Sequence, residues 1–135
     1  MKIVFGFAAT DEGWAALEWA TKEATEHNAE IIVVHSMRGG KSLEVETLEV
    51  LAYRQGLEEA GRRLTDAGVP YRIRAFMRGE TPAEDIIRVV AEEGADLIVI
   101  GLRRRSPTGK AFFGSTAQNI LLDSNCPVVA VKAKY

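Results

Sequence analysis

The stretch from Gly101 to Thr116, GLRRRSPTGKAFFGST, concentrates the residues of this chain that could do chemistry. Arg103, Arg104, Arg105 and Lys110 fall within eight residues, and no carboxylate occurs between Leu97 and Leu122. All 19 acidic residues lie elsewhere, so a formal net charge of -2 conceals a local concentration of positive charge. Such a stretch is either an anion site or a solvated basic loop. Gly114 lets backbone approach a ligand closely, and Ser115 reads as the cap of a following helix, with Gln118 three residues on as in a capping box. The free amides and positive dipole end of that helix would face an anion, with Lys110 and the arginines adding charge. The plainer alternative is that Gly114 and Ser115 only start a helix. The Gly109-Lys110 pair is not a Walker A loop, because seven residues rather than four separate Gly101 from Gly109, and Ala111 follows the lysine.

Other reactive side chains are few. Cys126 is the only cysteine, which excludes an internal disulfide or a cysteine-based metal site, and it reads as a small apolar residue before the last strand. His27 falls at a helix end and His35 at a strand end, where capping and lining roles are expected rather than general base chemistry. No nucleophile, base and orienting group can be assembled from these spacings, so neither a catalytic residue nor a protein-held metal is expected.

The elements that position the loop follow from periodicity. Lys2 to Ala8 reads as a strand and Asp11 to His27 as a helix closed by Asn28. Glu30 to Ser36 is apolar on consecutive residues, as in a parallel strand covered on both faces. Arg38, Gly39 and Gly40 form a joint before a long helix from about Leu43 to Ala67, with Leu48, Leu51, Ala60 and Leu64 as its apolar stripe. Tyr71 to Met77 alternates, Ile73 and Ala75 against Arg72 and Arg74, and is expected at an edge of the sheet. Thr81, Pro82 and Glu84 spell a helix start, Gly94 its end, and Asp96 to Ile100 a further buried strand. Ser115 to Asp123 reads as a short helix and Pro127 to Ala133 as the last strand. Five strands alternating with four helices predict an open five-stranded parallel α/β sheet with helices on both faces. Ligands of such sheets bind beyond the carboxyl ends of the strands, which here are Ala8 to Asp11, Ser36 to Gly40 and Gly101 onward.

Length and composition agree. A chain of 135 residues, 47% hydrophobic and 27% charged, suits one globular unit. Apolar runs such as Ile31 to Val34 are too short to span a bilayer and no leader opens the chain, so a cytoplasmic protein is expected, with neither nucleic acid nor membrane as partner.

The loop resembles the nucleotide motif of the universal stress protein family, G-x2-G-x9-G-[ST]. Gly101, Gly114 and Ser115 match its first, third and fourth fixed positions, and Arg104 occupies the second, in an Arg-Arg-Arg-Ser-Pro-x-Gly-Lys variant of the loop. Asn125 to Lys132 (NCPVVAVK) resembles the family's closing strand, and Ala16 to Ala20 (ALEWA) its first helix. The resemblance implies a single domain over residues 1–135 of the adenine-nucleotide alpha-hydrolase-like fold. It also implies an adenine nucleotide, ATP or AMP, with magnesium accompanying it. The implied site comprises Ala8, the backbone of Ser36, Gly101, Arg104, Lys110, Gly114, Ser115 and Thr116. ATP-holding members carry Asp where this chain has Ala8; Asp11 either replaces it or serves as a first-turn acid of the helix. A homodimer through Pro127 to Ala133 is implied as well. Two functions stay open: a nucleotide-binding regulatory protein of the stress response without turnover, or an interaction module of the same fold that holds no nucleotide.

Overall fold

The structure, a computed structural model, describes residues 1–37, 43–77, 81–103 and 114–133, with the backbone alone at 43–47 and 49. The joint expected at Arg38 to Gly40 lies outside the described residues. Strands β1 (Lys2–Gly6), β2 (Glu30–Met37), β3 (Tyr71–Met77), β4 (Leu97–Leu102) and β5 (Val128–Lys132) alternate with helices α1 (Asp11–His27), α2 (Leu43–Asp66), α3 (Pro82–Glu93) and α4 (Ser115–Asp123). All neighbouring strands pair in parallel in the order β3-β2-β1-β4-β5. The central position of β1 explains its sequence: Ile3, Val4 and Phe5 are wholly buried because helices cover both faces. Phe5 stands between Val33 of β2 and Val99 of β4.

Side chains alternate across the strands, so each strand feeds two cores. On one face Ile3, Phe5, Ile31, Val33 and Val99 pack with Leu17 and Ala20 of α1 and Ala60 and Leu64 of α2. On the other, Val4, Ile32, Val34, Ile98 and Ile100 pack with Ile86 and Val89 of α3 and Ile120 of α4. Each fully enclosed Leu, Ile or Val contributes about 1.5–3 kcal/mol relative to exposure. Helix ends are set locally: Thr10 accepts from the Gly13 amide at the start of α1, Asn28 closes it at φ 52°, and Thr81 accepts from the Glu84 amide at the start of α3. No described helix is long and apolar enough to cross a membrane.

Two expectations are corrected. β1 ends at Gly6, not Ala8; Phe7 still donates its amide to the Val34 carbonyl at 2.9 Å, and the chain then leaves the sheet. The expected stripe of α2 holds only in its second half, since Ala60 and Leu64 are buried but Leu48 and Leu51 are 67% and 50% exposed. Tyr53 and Leu57 join the core instead. β3 does occupy an edge, with Ile73 exposed and Arg72 paired to Glu93 and Glu30 at 2.7 and 3.0 Å. Charges along an edge discourage further strands from adding.

Sheet order reverses between β1 and β4, and there the backbones meet. A Cβ at Gly101 would stand 2.6 Å from the Glu12 carbonyl oxygen and 2.9 Å from the Gly13 nitrogen, both backbone atoms. A Cβ at Gly13 would lie 1.8 Å from the Ala8 carbonyl oxygen. The end of β4 and the start of α1 therefore touch without side chains between them.

One imidazole is enclosed in the first core. His35, 4% exposed, lies with its ring centroid 3.5 Å from that of Tyr53 and 5.9 Å edge-on from Phe7. Burial pushes its pKa down from 6.5 to about 4, so it is neutral at pH 7.

Two outcomes follow from this packing. Gly101→Ala, forced against backbone, should lower unfolding free energy by about 1–3 kcal/mol in urea titration; a wild-type midpoint would show that the two backbones can separate freely. Because the folded state takes the His35 proton less readily than the unfolded chain, its contribution is complete above pH 6.5 and is lost as pH falls toward about 4. His35→Phe should therefore flatten the stability profile between those pH values, and profiles parallel to wild type would contradict the burial of a neutral imidazole.

Candidate functional site

A cavity of about 850 Å³ opens at the carboxyl ends of β1 and β4, where the sheet order reverses. This size suits a small molecule of nucleotide dimensions. The turn after β1 supplies Ala8, Ala9 and Thr10, β2 supplies His35 and Ser36, and β4 supplies Gly101 and Leu102, with Arg103 just beyond it. The start of α4 closes one side through Gly114, Ser115 and Thr116. Six of the residues singled out in the sequence (Ala8, Ser36, Gly101, Gly114, Ser115 and Thr116) thus meet around one space although they come from four separate segments. Arg104 and Lys110 lie outside the described residues.

The α4 end is built for an anion, but its cap differs from expectation. Gly114, not Ser115, is the N-cap, with φ -65° and ψ 160°, and no side chain caps the helix. Ser115 is the first helical residue, so its hydroxyl does not bond the amide of Gln118; that amide is taken by the Gly114 carbonyl at 3.0 Å. Amides ahead of the first helical bond have no acceptor within the helix, and the dipole places partial positive charge there. The first turns of α1 and α3 carry acids, Asp11 and Glu12 in one and Glu84 and Asp85 in the other, each helix with a threonine cap. The first turn of α4 has neither acid nor side-chain cap. No described atom lies within 4 Å of where a Cβ of Gly114 would stand, so the space over this backbone is open. Arg103, exposed at the end of β4, adds a cation to the same cavity.

The opposite end is apolar and aromatic. Ala8 offers only a methyl, the Tyr53 and His35 rings lie against each other tilted by 44°, and Ser36 donates its hydroxyl to Asp85. Asp11 takes the first position of α1 and is not among the lining residues; Glu12, one residue on, is. Sequence reasoning missed Glu12, Tyr53 and Phe7. Tyr53 lies in helical register with Leu57, Ala60 and Leu64 of α2, a stripe that the apolar Leu48 and Leu51 obscure, while Glu12 is concealed by its more obvious neighbour Asp11. Among the described residues, the grouping of possible metal ligands is Glu23, Glu26 and His27 at the far end of α1, an i, i+3, i+4 set with Glu23 half-buried and the other two exposed, none of them lining this cavity.

Comparison with known proteins places the chain. The model of the universal stress protein family matches residues 1–132. A universal stress protein of Mycolicibacterium smegmatis is 33% identical over 130 residues, covering 96% of either chain. The solved structure of a universal stress protein from Archaeoglobus fulgidus is similar with a TM-score of 0.83 at 32% identity, covering 98% of both chains. Another from Archaeoglobus fulgidus, in complex with dAMP, gives 0.75 at 28% identity over 98% of both. The five-stranded parallel sheet with helices on both faces is shared with these structures, and the chain belongs to the universal stress protein family.

Proposed function

We propose that the cavity holds an adenine nucleotide, ATP or AMP, and that the protein acts in the stress response as a regulatory binding protein without turning substrate over. The observation that carries this reading is the start of α4, a helix end with neither acid nor side-chain cap, opening on a cavity at the sheet's switch point. The dAMP complex of the Archaeoglobus relative, at 28% identity over nearly the whole chain, supports the choice of ligand. Phosphates sit against the amides of Ser115 and Thr116, close to Gly114, with Gly101 keeping the end of β4 flat beneath them. Arg103 supplies cationic charge to this end, and the family resemblance assigns Arg104 and Lys110 to the phosphates as well. Magnesium accompanying the phosphates would draw its protein ligands from the oxygen-bearing residues of the wall, Glu12, Thr10, Ser115 and Thr116; such an ion chiefly neutralises phosphate charge and retains several waters. The nucleoside end is held less firmly, because Ala8 provides no acceptor. The backbone of Ser36 meets the base edge.

A second reading, a dimeric interaction module that holds no nucleotide, is favoured by Ala8 itself and by Arg104 in the place of a motif glycine. Both readings share a homodimer formed through Pro127 to Ala133. Edge strand β5 bears half-buried Val128, Val129, Ala130 and Val131, and Leu122 nearby is 73% exposed. An open apolar edge tends to pair with another.

Three measurements check these assignments. Isothermal titration should show ATP binding that Gly114→Val abolishes and Ser115→Ala weakens less, whereas Gly114→Ala should leave folding stability unchanged because its Cβ meets no described atom. Ala8→Asp should tighten ATP by about 1 kcal/mol while inorganic triphosphate stays as before, since a new acceptor serves only a ligand with a nucleoside. Absence of binding heat in the unmodified protein would favour the interaction module. Light scattering at micromolar concentration should give the mass of a dimer, and a monomer there would remove the β5 pairing.

A further inference from the structure

Beside the nucleoside end lies a polar pair that phosphate binding does not use. Asp85, in the first turn of α3, is wholly enclosed, its residue 0% exposed. A buried carboxylate is costly unless hydrogen bonds or charges compensate it. Its Oδ2 accepts the Ser36 hydroxyl at 2.5 Å, its Oδ1 has no hydrogen-bond partner among the described residues, and Arg88 Nη1 stands 4.0 Å from Oδ1. The positive end of α3 lies beside it.

Ser36 itself lines the cavity, together with Pro82 and Ile86, which precede and follow Asp85 on α3. A hydroxyl has one proton and two lone pairs. Here the proton is committed to Asp85, so the oxygen meets the cavity as an acceptor only, and the charge behind it makes it a stronger one. The position is one strand over from Ala8, because β1 pairs with β2 and the Phe7 amide bonds the Val34 carbonyl.

We propose that the Ser36 side chain, held by Asp85, is the acceptor for a donor group on the nucleoside half of the ligand, an exocyclic amino group or a ribose hydroxyl. Ser36 touches the ligand and Asp85 is a positioning residue. This inference rests on the nucleotide reading and deepens it: the acid absent at Ala8 is replaced in effect by a buried acid acting through a serine on the adjoining strand. It also gives the enclosed carboxylate a function that packing alone does not provide.

Titration with ATP, inosine triphosphate, 2′,3′-dideoxy-ATP and inorganic triphosphate tests it. Wild type should bind the analogue that lacks the recognised donor about tenfold more weakly than ATP, inosine triphosphate if the donor is the amino group and dideoxy-ATP if it is a hydroxyl. That comparison requires no variant to fold. Ser36→Ala should weaken ATP about tenfold, close the gap to that analogue and leave inorganic triphosphate within twofold. The double variant Ser36→Ala with Asp85→Leu removes both partners, leaves no orphaned charge, and should show the same selectivity loss. A merely structural role would weaken every ligand equally, and that result overturns the inference, as does a wild type indifferent to all three nucleotides. A wild type that binds none of the four ligands overturns the nucleotide reading and this inference with it.

Discussion

The site depends on a contact between backbones. At the point where strand order reverses, the end of β4 meets the carbonyl of Glu12 and the amide of Gly13, and only glycine at 101 permits that approach. The turn from Ala8 to Thr10 is drawn against the same place, because Gly13 sits under the Ala8 carbonyl and donates to Thr10. Without it, β1 and β4 would still pair through Ile3 to Phe5, but the loops beyond them would not converge on one cavity. The central apolar strands give this contact a rigid base. Interiors packed at crystal-like density do not yield by the fraction of an ångström that an added methyl would need.

Two ends of unlike chemistry result. On the α4 side the backbone presents donors and partial positive charge, uncompensated by any acid in that helix's first turn. On the β2 side the walls are rings and methyls, with one hydroxyl backed by a buried carboxylate. A ligand with an anionic tail and a flat, polar-edged head matches both. The helices whose starts are capped by threonine and preloaded with acids, α1 and α3, have their dipoles answered within the chain, and this contrast sets α4 apart.

Much of this was legible in the residues. Consecutive apolar positions in β2 and β4 gave away buried parallel strands, since only sheets covered on both faces bury both side-chain directions. The alternation of Ile73 and Ala75 with Arg72 and Arg74 identified an edge. Thr81-Pro82 and Asn28 fixed helix ends to the residue because capping is local chemistry. The site's framework followed from loop positions, which topology dictates. What escaped notice was tertiary. Tyr53 shares a helical stripe with Leu57, Ala60 and Leu64, but that the end of this stripe reaches the cavity beside His35 depends on how α2 packs on the sheet. Asp85 lies among the first-turn acids of α3, and that it turns inward to Ser36, 49 residues away, is not written in its neighbours. Ser115 was taken for the cap because serine is favoured there, yet the glycine before it holds the extended backbone without a side-chain bond.

A crystal structure of the protein grown with ATP tests the account most directly. The account predicts phosphates within hydrogen-bond distance of the amides of Ser115 and Thr116, with the base toward Ser36 and Tyr53. ATP bound elsewhere, or density absent from this cavity at millimolar nucleotide, would contradict it.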